Sequence, residues 1–496
     1  MGSHSHANRL DSDVTRLRPG NGGIGIFLML AGLAGVIVAA IVSYTGAHDL
    51  VRFYRALLFG VAGYLAISCS ALLFVLINHL VRAGWITNVR RVLETLAIQI
   101  PLLGILLIPT IITVAKQDGT IYSWAVPSDT PEVHHGAGDA HAATAGDQHG
   151  APAAPHVDNH AAGAKPVHTE TAKLQHVGKT DNIIPGYHAG EVSLPYPNEQ
   201  VRPGVERDFD RLVAEKNHGW LKPAFWIFRI IAYLAILTWV AWYYRSRSIA
   251  QDATGDVDIS SNLQKISGPL LMACGLIVTF IAFDMFMSLD PHWFSTMYGV
   301  YFFASGTQAM WAVMCLTFII LQSRGYLKES IGTEHFHDMG KMLWAFIVFF
   351  AYIAFSQYML QWYANMPEET FWYDKRGYST AHPNGYTPFA LILLIGRFII
   401  PFLGLVSRHV KRNRFGLGFW SVWLLACFFC DIYLLIMPEF HWAGTTHELR
   451  FGLPEFLCVA GVGALWLGNM IRMLAANALR PLRDPRVHES LAIQNI

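Results

Sequence analysis

Long apolar stretches alternate with short polar segments along nearly the whole chain. Each apolar run holds about 20 residues, enough to cross a hydrocarbon layer about 30 Å thick as a helix. The period-two alternation of a membrane β-barrel does not appear. The pattern predicts an all-α integral membrane protein with ten transmembrane spans, near residues 24–45, 54–80, 93–114, 222–244, 268–288, 297–321, 341–364, 388–406, 416–437 and 454–474.

Changes in polarity divide the chain into seven segments. The first ten residues, MGSHSHANRL, are polar and do not resemble a signal peptide, so we expect the apolar run behind them to be retained as span 1. The predicted segments, in chain order, are a cytoplasmic tail (1–23), spans 1–3 (24–114), a His-rich loop (115–221), spans 4–5 (222–291), spans 6–9 (292–438), span 10 (439–475) and a cytoplasmic tail (476–496).

Composition and charge sorting agree with a membrane protein. The chain is 53% hydrophobic and 14% charged, whereas soluble proteins average about 25% charged residues. The net charge of +1 gives no reason to expect a nucleic-acid partner. Ten spans put both termini on one side, where the tails and short loops carry 20 Lys and Arg residues against five in the short loops opposite. The positive-inside rule therefore predicts cytoplasmic termini and a periplasmic loop 115–221.

The long loop is rich in histidine and poor in large apolar residues. Between Pro131 and Pro166 it consists almost entirely of Ala, Gly, Pro, His and Asp, which predicts a partly disordered, solvated tether. Metal binding is the alternative, because His-rich tracts hold zinc or copper. The ten histidines of the loop are His134, His135, His141, His149, His156, His160, His168, His176, His188 and His218.

Two groups of spans resemble each other. Spans 4 and 8 read IFRIIAYLAI and IGRFIIPFLG, each with one arginine, and spans 5 and 9 end FDMFMSLDPHW and CDIYLLIMPEFHW. Spans 2 and 6 open with FGV at 59–61 and YGV at 298–300. The matching spans are four apart along the chain. Because four is an even number, both groups cross the membrane in the same direction. We therefore expect two parallel-repeat four-helix bundles, spans 2–5 and spans 6–9, flanked by spans 1 and 10.

The repeat places one arginine and one aspartate inside the apolar runs of each bundle. A lone charge at the centre of a bilayer costs about 2.5–3.5 kcal/mol on insertion scales, so pairing is expected. The predicted pairs are Arg229 with Asp284 and Arg397 with Asp431. Two interpretations stay open: salt bridges that fix helix register, or carboxylates that form part of a proton path.

Span 7 becomes polar as it approaches its end, in FSQYMLQWYANMPEET at 355–370. Gln357 and Gln361 are four residues apart and share one helix face, with Tyr358 beside them. This stripe is a candidate for the outer half of a proton path. The alternative is hydrogen bonding between helices, worth about 0.6 kcal/mol per contact.

On the inner side, His79 and Glu94 are the candidates for such a path. The alternative for His79 is an ordinary interfacial histidine. The alternative for Glu94 is a surface ion pair with Arg90 or Arg91 on its own helix. Glu455, which follows Pro454 at the outer edge of span 10, is expected to be solvated.

Motifs of redox and metal chemistry are missing from the sequence. The cores of the spans contain no histidine that could serve as a haem ligand, and neither C-x-x-C-H nor a G-x-x-x-x-G-K-[ST] loop occurs. The six cysteines lie in apolar segments, including Cys427 and Cys430 in span 9, where packing is the favoured role. We therefore assign no catalytic residue, no metal ligand and no redox cofactor of the chain's own.

Three stretches resemble a known family: SLDPHWFSTMYGVYFFA (288–304), HDMGKMLWAFIVFFAYIAFSQYMLQWYANMPEET (337–370) and IPFLGLVSRHVKRN (400–413). They are similar to the ActF-type subunit of alternative complex III, a bacterial quinol:electron-acceptor oxidoreductase, in the NrfD-like (polysulfide-reductase membrane-subunit-like) family. The resemblance implies ten helices in two bundles. Matched to this sequence, its polar positions fall on Asp284, Arg397, Asp431, Gln357 and Tyr358.

The resemblance also implies location, partners and role. The partners would be a second NrfD-like membrane subunit, an iron–sulfur subunit, multihaem and monohaem c-type cytochromes and small membrane subunits, in the bacterial inner membrane. Quinol oxidation belongs to the sister subunit, which leaves proton conduction or structural support to this one, with menaquinone or lipid as a candidate molecule at an interface. The alternatives are a quinone-binding catalytic subunit, a stand-alone secondary transporter, or a scaffold. The lack of a visible mid-helix Gly/Pro break around a substrate pocket disfavours the transporter.

Overall fold

The computed structural model describes residues 13–18, 20–47, 50–126, 219–378, 383–440 and 451–493. Over these ranges the chain is helical and contains no β-strand. The ten histidines of the long loop all lie outside the described residues. The tether and metal-binding interpretations of that loop therefore stay predictions.

Ten helices are long and apolar enough to cross a membrane, and they occur where the hydropathy pattern predicts them. The chain is thus an all-α, multi-pass membrane protein. In chain order the spans are Asn21–Gly46, Val51–Leu80, Arg90–Lys116, Pro223–Thr254, Val257–Leu289, Tyr298–Ser323, Thr333–Ala364, Thr387–Gly404, Arg414–Glu439 and Leu453–Ala476.

Spans 4, 5 and 7 extend well beyond their predicted apolar cores, which end at 244 and begin at 268 and 341. Outside the hydrocarbon layer a helix tolerates polar side chains, so its backbone hydrogen bonding continues past the apolar run. Span 4 continues to Thr254 and is followed by Gly255, whose φ of +71° lies in the left-handed region that favours glycine. Span 5 then starts with Asp256, whose carboxylate accepts the Asp258 backbone N–H.

Three spans are locally irregular, which the hydropathy pattern does not predict. Span 3 consists of three short helices, the second and third of which have Pro101 and Pro109 in their first turns. A proline has no N–H to donate, so it interrupts the helical bonding before it. Spans 5 and 8 contain π-helical turns at Ala282–Phe286 and Ile392–Ile399, and π turns occur often at functional sites.

The spans form the two predicted four-helix bundles. In the first bundle, spans 2 and 4 each pack against spans 3 and 5, and in the second, spans 6 and 8 each pack against spans 7 and 9. The bundles meet mainly where span 2 crosses span 6. At that crossing a Cβ on Gly306 would lie 2.6 Å from the carbonyl oxygen of Ala66. The close contact between the bundles therefore depends on glycine at position 306.

Spans 1 and 10 pack against each other through glycines, and span 10 also packs on span 2. Gly25 faces Gly468 and Gly32 faces Gly461, the order expected of two antiparallel helices. A Cβ at Gly32 would lie 2.5 Å from the Gly461 carbonyl oxygen. Small residues allow such backbone contact between membrane helices, where van der Waals packing contributes much of the attraction.

The first described segment, residues 13–18, and the segment after span 10 lie on one side of the helices, called the terminal face below; the other side is the opposite face. The Leu327 N–H donates to the carbonyl of Val14 at 3.3 Å, and the Leu479 N–H donates to that of Thr15 at 2.8 Å. Asp484 and Ser490, in the segment after span 10, are buried. This segment therefore packs onto the terminal face.

Gly32→Ala should weaken the contact between spans 1 and 10, because the new methyl group would overlap the Gly461 carbonyl. We expect a loss of about 1–3 kcal/mol of stability, measured as a lower unfolding temperature in detergent. The matched control is Gly275→Ala, in a helix where a Cβ meets nothing within 4 Å. Equal unfolding temperatures for the two variants would contradict the proposed role of Gly32.

Candidate functional site: two buried arginine–aspartate pairs

Arg229 and Asp284 form the first intramembrane pair, as the sequence predicts. The arginine binds both carboxylate oxygens: Nε lies 2.9 Å from Oδ2, and Nη2 lies 2.9 Å from Oδ1. The indole N–H of Trp220 also donates to Oδ1, at 2.6 Å. Arg229 Nη1 donates to the Trp220 carbonyl at 2.7 Å, and its guanidinium lies 4.1 Å from the Trp220 ring centre. Arginine and tryptophan together enclose the carboxylate.

The π turn around Asp284 fixes the backbone of this site. The Asp284 carbonyl accepts hydrogen bonds from the Trp226 indole at 2.7 Å and the Ser288 hydroxyl at 2.6 Å. One turn of span 5 is therefore held by span 4 through both the side chain and the main chain of the same residue. This arrangement fixes the register of the two helices.

Arg397 and Asp431 form the second pair, and both side chains are fully buried. Arg397 Nη1 lies 2.5 Å from Asp431 Oδ2. Two hydroxyls from span 6 also donate to the carboxylate: Ser305 to Oδ2 at 2.7 Å, and Tyr301 to Oδ1. Asp431 is therefore held by three spans, namely 6, 8 and its own span 9.

The guanidinium of Arg397 has further partners around it. Its Nε donates to Gln308 Oε1 at 2.7 Å, and its Nη2 donates to Ser305 Oγ at 2.9 Å. Its carbon centre lies 3.7 Å from the Phe350 ring centre, in the geometry of a cation–π contact. A buried charge is tolerated where such partners replace water.

Three partners from span 6 are not among the residues predicted from the sequence. Tyr301, Ser305 and Gln308 occur at i, i+4 and i+7, so they lie on one face of the helix. Polar residues at that spacing inside an apolar span are a signal that could have identified them. No comparable signal exists for Trp220, which comes from the turn before span 4.

The repeat explains why the two pairs differ. Matching FGV in span 2 with YGV in span 6 places Ala62, Ala66 and Cys69 at the positions of Tyr301, Ser305 and Gln308. Span 2 therefore offers no hydroxyl or amide at these positions to the first pair. Tyr233, a half-buried residue of span 4, offers the first pair one hydroxyl, which interacts with the side chains of both Asp284 and Arg229. Only the second aspartate accepts direct hydrogen bonds from two hydroxyls.

The polar stripe of span 7 binds neighbouring segments rather than either aspartate. Gln357 accepts from the Ser295 hydroxyl at 3.0 Å and donates to the Tyr373 hydroxyl at 3.2 Å. Gln361 accepts from the Trp293 indole at 3.2 Å. The Tyr358 ring packs on that of Tyr373, with centres 5.1 Å apart. These residues attach the segment before span 6 and the helix Pro367–Lys375 to the end of span 7.

A buried ion cluster joins the two bundles at the opposite face. Lys375 Nζ lies 3.1 Å from Asp290 Oδ2, after span 5, and 3.2 Å from Glu439 Oε2, at the end of span 9. Arg376 also binds Glu439, at 2.5 Å. Beside them the rings of Trp293 and Trp372 stack 4.0 Å apart. One ammonium thus bridges acids at the ends of both aspartate-bearing spans.

At this cluster charge pairing has a larger effect on the pKa values than burial has. Burial alone would raise the pKa of Asp290, but the Lys375 ammonium lowers it below its ordinary value of 3.8. Burial would lower the pKa of Lys375, but Glu439 and Asp290 raise it above 10.5. Both residues are therefore charged over a wide pH range.

His79 and Glu94 lie near the terminal face, apart from both pairs. The His79 ring packs on Tyr244, with centres 5.2 Å apart, and lines a cavity of about 10 Å³ together with Asn78, Arg90 and Asp484. That volume is about the minimum for one water molecule. His79 is buried among these groups.

Two glutamates are more buried than the sequence indicates. Glu94 does pair with Arg90 at 3.1 Å and with Arg91 at 3.4 Å, but the expectation of a surface pair is wrong, because all three side chains are buried. Glu455 is also fully buried, so the prediction that it is solvated is wrong. It accepts two hydrogen bonds from Arg52, both at 2.8 Å, and this pairing compensates for the lost water.

These features define a ten-span, all-α membrane protein with two internal ion pairs related by a repeat. In the part of the chain that the structure describes, no three His, Cys, Asp or Glu side chains are grouped so as to hold a metal ion. No protein-family model matches the chain, and no curated protein matches it.

Arg229→Met should strongly destabilise the protein, because it leaves the Asp284 charge buried without its main partner. Breaking a buried pair costs about 3–5 kcal/mol, whereas replacing both members by apolar residues is often neutral. We therefore expect the double variant Arg229→Met/Asp284→Leu to recover most of the lost unfolding temperature. A double variant as unstable as the single one would contradict a simple charge-pair role.

The ion cluster at Lys375 should make stability depend on pH. The pKa of Asp290 is depressed, so its contribution is present above pH 3.8 and is lost as the pH falls through the lower folded value. Asp290→Asn should lower the unfolding temperature at pH 7. As the pH falls into the acid range, the unfolding temperature of this variant should decrease less than that of wild type. The exposed Asp258→Asn is the control and should change neither. An Asp290→Asn curve that coincides with wild type would argue against the cluster.

Proposed function

We propose that this chain is a membrane subunit of a respiratory or photosynthetic quinol:electron-acceptor oxidoreductase, and that Asp431 exchanges protons on a path coupled to quinol oxidation by partner subunits. The long stretches at 288–304, 337–370 and 400–413 support the type of complex. The hydrogen bonds that Asp431 accepts from Tyr301 and Ser305 carry the proposal of proton exchange.

The chemistry of the partners favours Asp431 over Asp284 as the exchanging group. A hydroxyl both donates and accepts hydrogen bonds, so Tyr301 and Ser305 have the groups needed to relay a proton. A guanidinium or an indole only donates and keeps its protons near neutral pH. Arg397 therefore stabilises the carboxylate charge, while the hydroxyls offer the route. Asp284 binds Arg229 through both oxygens and has one hydroxyl, that of Tyr233, beside it instead of two, so it suits a structural role better.

The proposed setting is the bacterial inner membrane. The excess of Lys and Arg at the terminal face favours a cytoplasmic location for that face and a periplasmic one for the opposite face. The partners would be those of the resembled complex: a second NrfD-like subunit, an iron–sulfur subunit, c-type cytochromes and small membrane subunits. On this proposal electrons pass through those partners, while this chain contributes protonatable groups.

Asp431→Asn should lower the number of protons translocated per electron while leaving quinol oxidation largely intact. Asparagine keeps the size and an acceptor oxygen of aspartate but does not titrate. The measurement is proton release by the assembled complex in vesicles, with quinol oxidation followed in parallel. Tyr301→Phe should have a similar but smaller effect, because it removes one of the two hydroxyl donors.

The matched control is Asp284→Asn, in the equivalent pair of the first bundle. We expect it to lower the unfolding temperature more than it lowers translocation. Unchanged translocation in Asp431→Asn would reject the proton-exchange proposal and favour a scaffold. Loss of quinol oxidation in a stably assembled Asp431→Asn complex would instead favour the quinone-binding catalytic alternative.

A further inference from the structure

Lys411 is a buried lysine at the terminal face, in the five-residue helix Arg408–Arg412 between spans 8 and 9. Only 8% of its surface is exposed. Its carbon stem lies across Gly340 of span 7, where a Cβ would be 3.0 Å from both Cβ and Cγ of the lysine. The absence of a side chain at Gly340 makes room for the stem. The fold thus accommodates this lysine in a fixed position.

The Lys411 ammonium has fewer partners than it can bind. It donates to the Val406 carbonyl at 3.1 Å, whereas an ammonium has three N–H donors. The two nearby acids pair with other cations, Asp338 with Lys341 at 2.6 Å and Glu334 with Arg412. Burial first, and then the charge of Lys341, lower the pKa of Lys411 below 10.5. An anion bound there would reverse that effect.

An aromatic ring lies beside this cation, and exposed apolar side chains lie on the helix end that precedes it in the chain. The Trp344 ring centre lies 5.5 Å from Lys411 Nζ, and its indole N–H donates to the Phe402 carbonyl at 3.1 Å. Leu403 and Val406, at the end of span 8, are 66% and 53% exposed. Tryptophan and basic residues next to exposed apolar side chains are typical of the level of the lipid headgroups.

The turn at the corresponding position of the first bundle is acidic. This turn, between spans 4 and 5, carries the exposed acids Asp256 and Asp258. The connection between spans 8 and 9 instead carries a group of basic residues: Arg408, Lys411, Arg412 and Arg414. The two bundles therefore differ in the charge of this turn, while the first bundle carries its basic residues, Arg245 and Arg247, inside the last turns of span 4.

We propose that Lys411, together with Arg408 and Lys341, binds the phosphate headgroup of an anionic phospholipid whose acyl chains lie on Leu403 and Val406. Basic pockets between membrane helices are suited to anionic headgroups. The phosphate supplies acceptors for the Lys411 ammonium, and the exposed end of span 8 supplies an apolar surface for the chains. This inference depends on the ten spans and not on the proposed function.

The test is lipid binding by the full-length chain, purified in a neutral detergent and stripped of lipid. Native mass spectrometry would compare dioleoyl phosphatidylglycerol with dioleoyl phosphatidylcholine. We expect clear preference for the anionic lipid, and about fivefold weaker binding of that lipid by Lys411→Gln, from the usual contribution of one basic residue near an anionic headgroup. Lys411→Arg should restore most of the affinity.

The matched control is Lys265→Gln, an exposed lysine on span 5 near the same face, which should bind phosphatidylglycerol like wild type. Should Lys411→Gln fail to fold, the exposed Arg408→Gln provides the same comparison. Equal binding of the two lipids, or wild-type affinity in a folded Lys411 or Arg408 variant, would overturn the proposal. Displacement of the lipid by inorganic phosphate at equal concentration would also overturn it, since the site would then accept a soluble anion.

Discussion

The cost of leaving a charge unpaired in hydrocarbon governs the arrangement of these helices. Each bundle holds one arginine and one aspartate inside its apolar runs, and each charge finds the other on the neighbouring span. Because separating such a pair costs several kcal/mol, spans 4 and 5 are fixed against each other, and so are spans 8 and 9. Spans 2 and 3 pack on the first joined pair and spans 6 and 7 on the second, and span 6 adds side chains to the second ion pair.

Both bundles contain the arginine–aspartate pair, but the residues that surround the pair differ between them. In the first bundle Arg229 binds both oxygens of the Asp284 carboxylate and the Trp220 indole donates to one of them, which holds the charge in place. In the second, hydroxyls of Tyr301 and Ser305 replace the alanines that span 2 carries at the matching positions. The same ion pair thus occurs twice, and only the second copy has two hydroxyl partners from a third helix.

The sequence could predict the ten spans and both ion pairs, because each follows from the cost of exposing polar groups to lipid, and it could predict the two bundles from the repeat. It could not predict contacts that depend on tertiary geometry. Trp220 reaches Asp284 from a turn, and Arg52 reaches Glu455 across 403 positions of sequence, which buries a glutamate expected in water. From the sequence, Lys375 is recognisable only as one of the five basic residues in the short loops opposite the termini, since hydropathy does not indicate which acids a lysine will contact.

The Lys375 bridge also limits how the protein can move. Its two acids end spans that belong to different bundles, Asp290 to the first and Glu439 to the second. A transporter that alternates access by rocking one half against the other would have to pull this ammonium away from one acid in every cycle. The rings of Trp293 and Trp372, which stack beside the bridge, add a second contact that such a movement would have to break. Separation of the two bundles at this face would therefore carry the cost of leaving a buried charge without its partner.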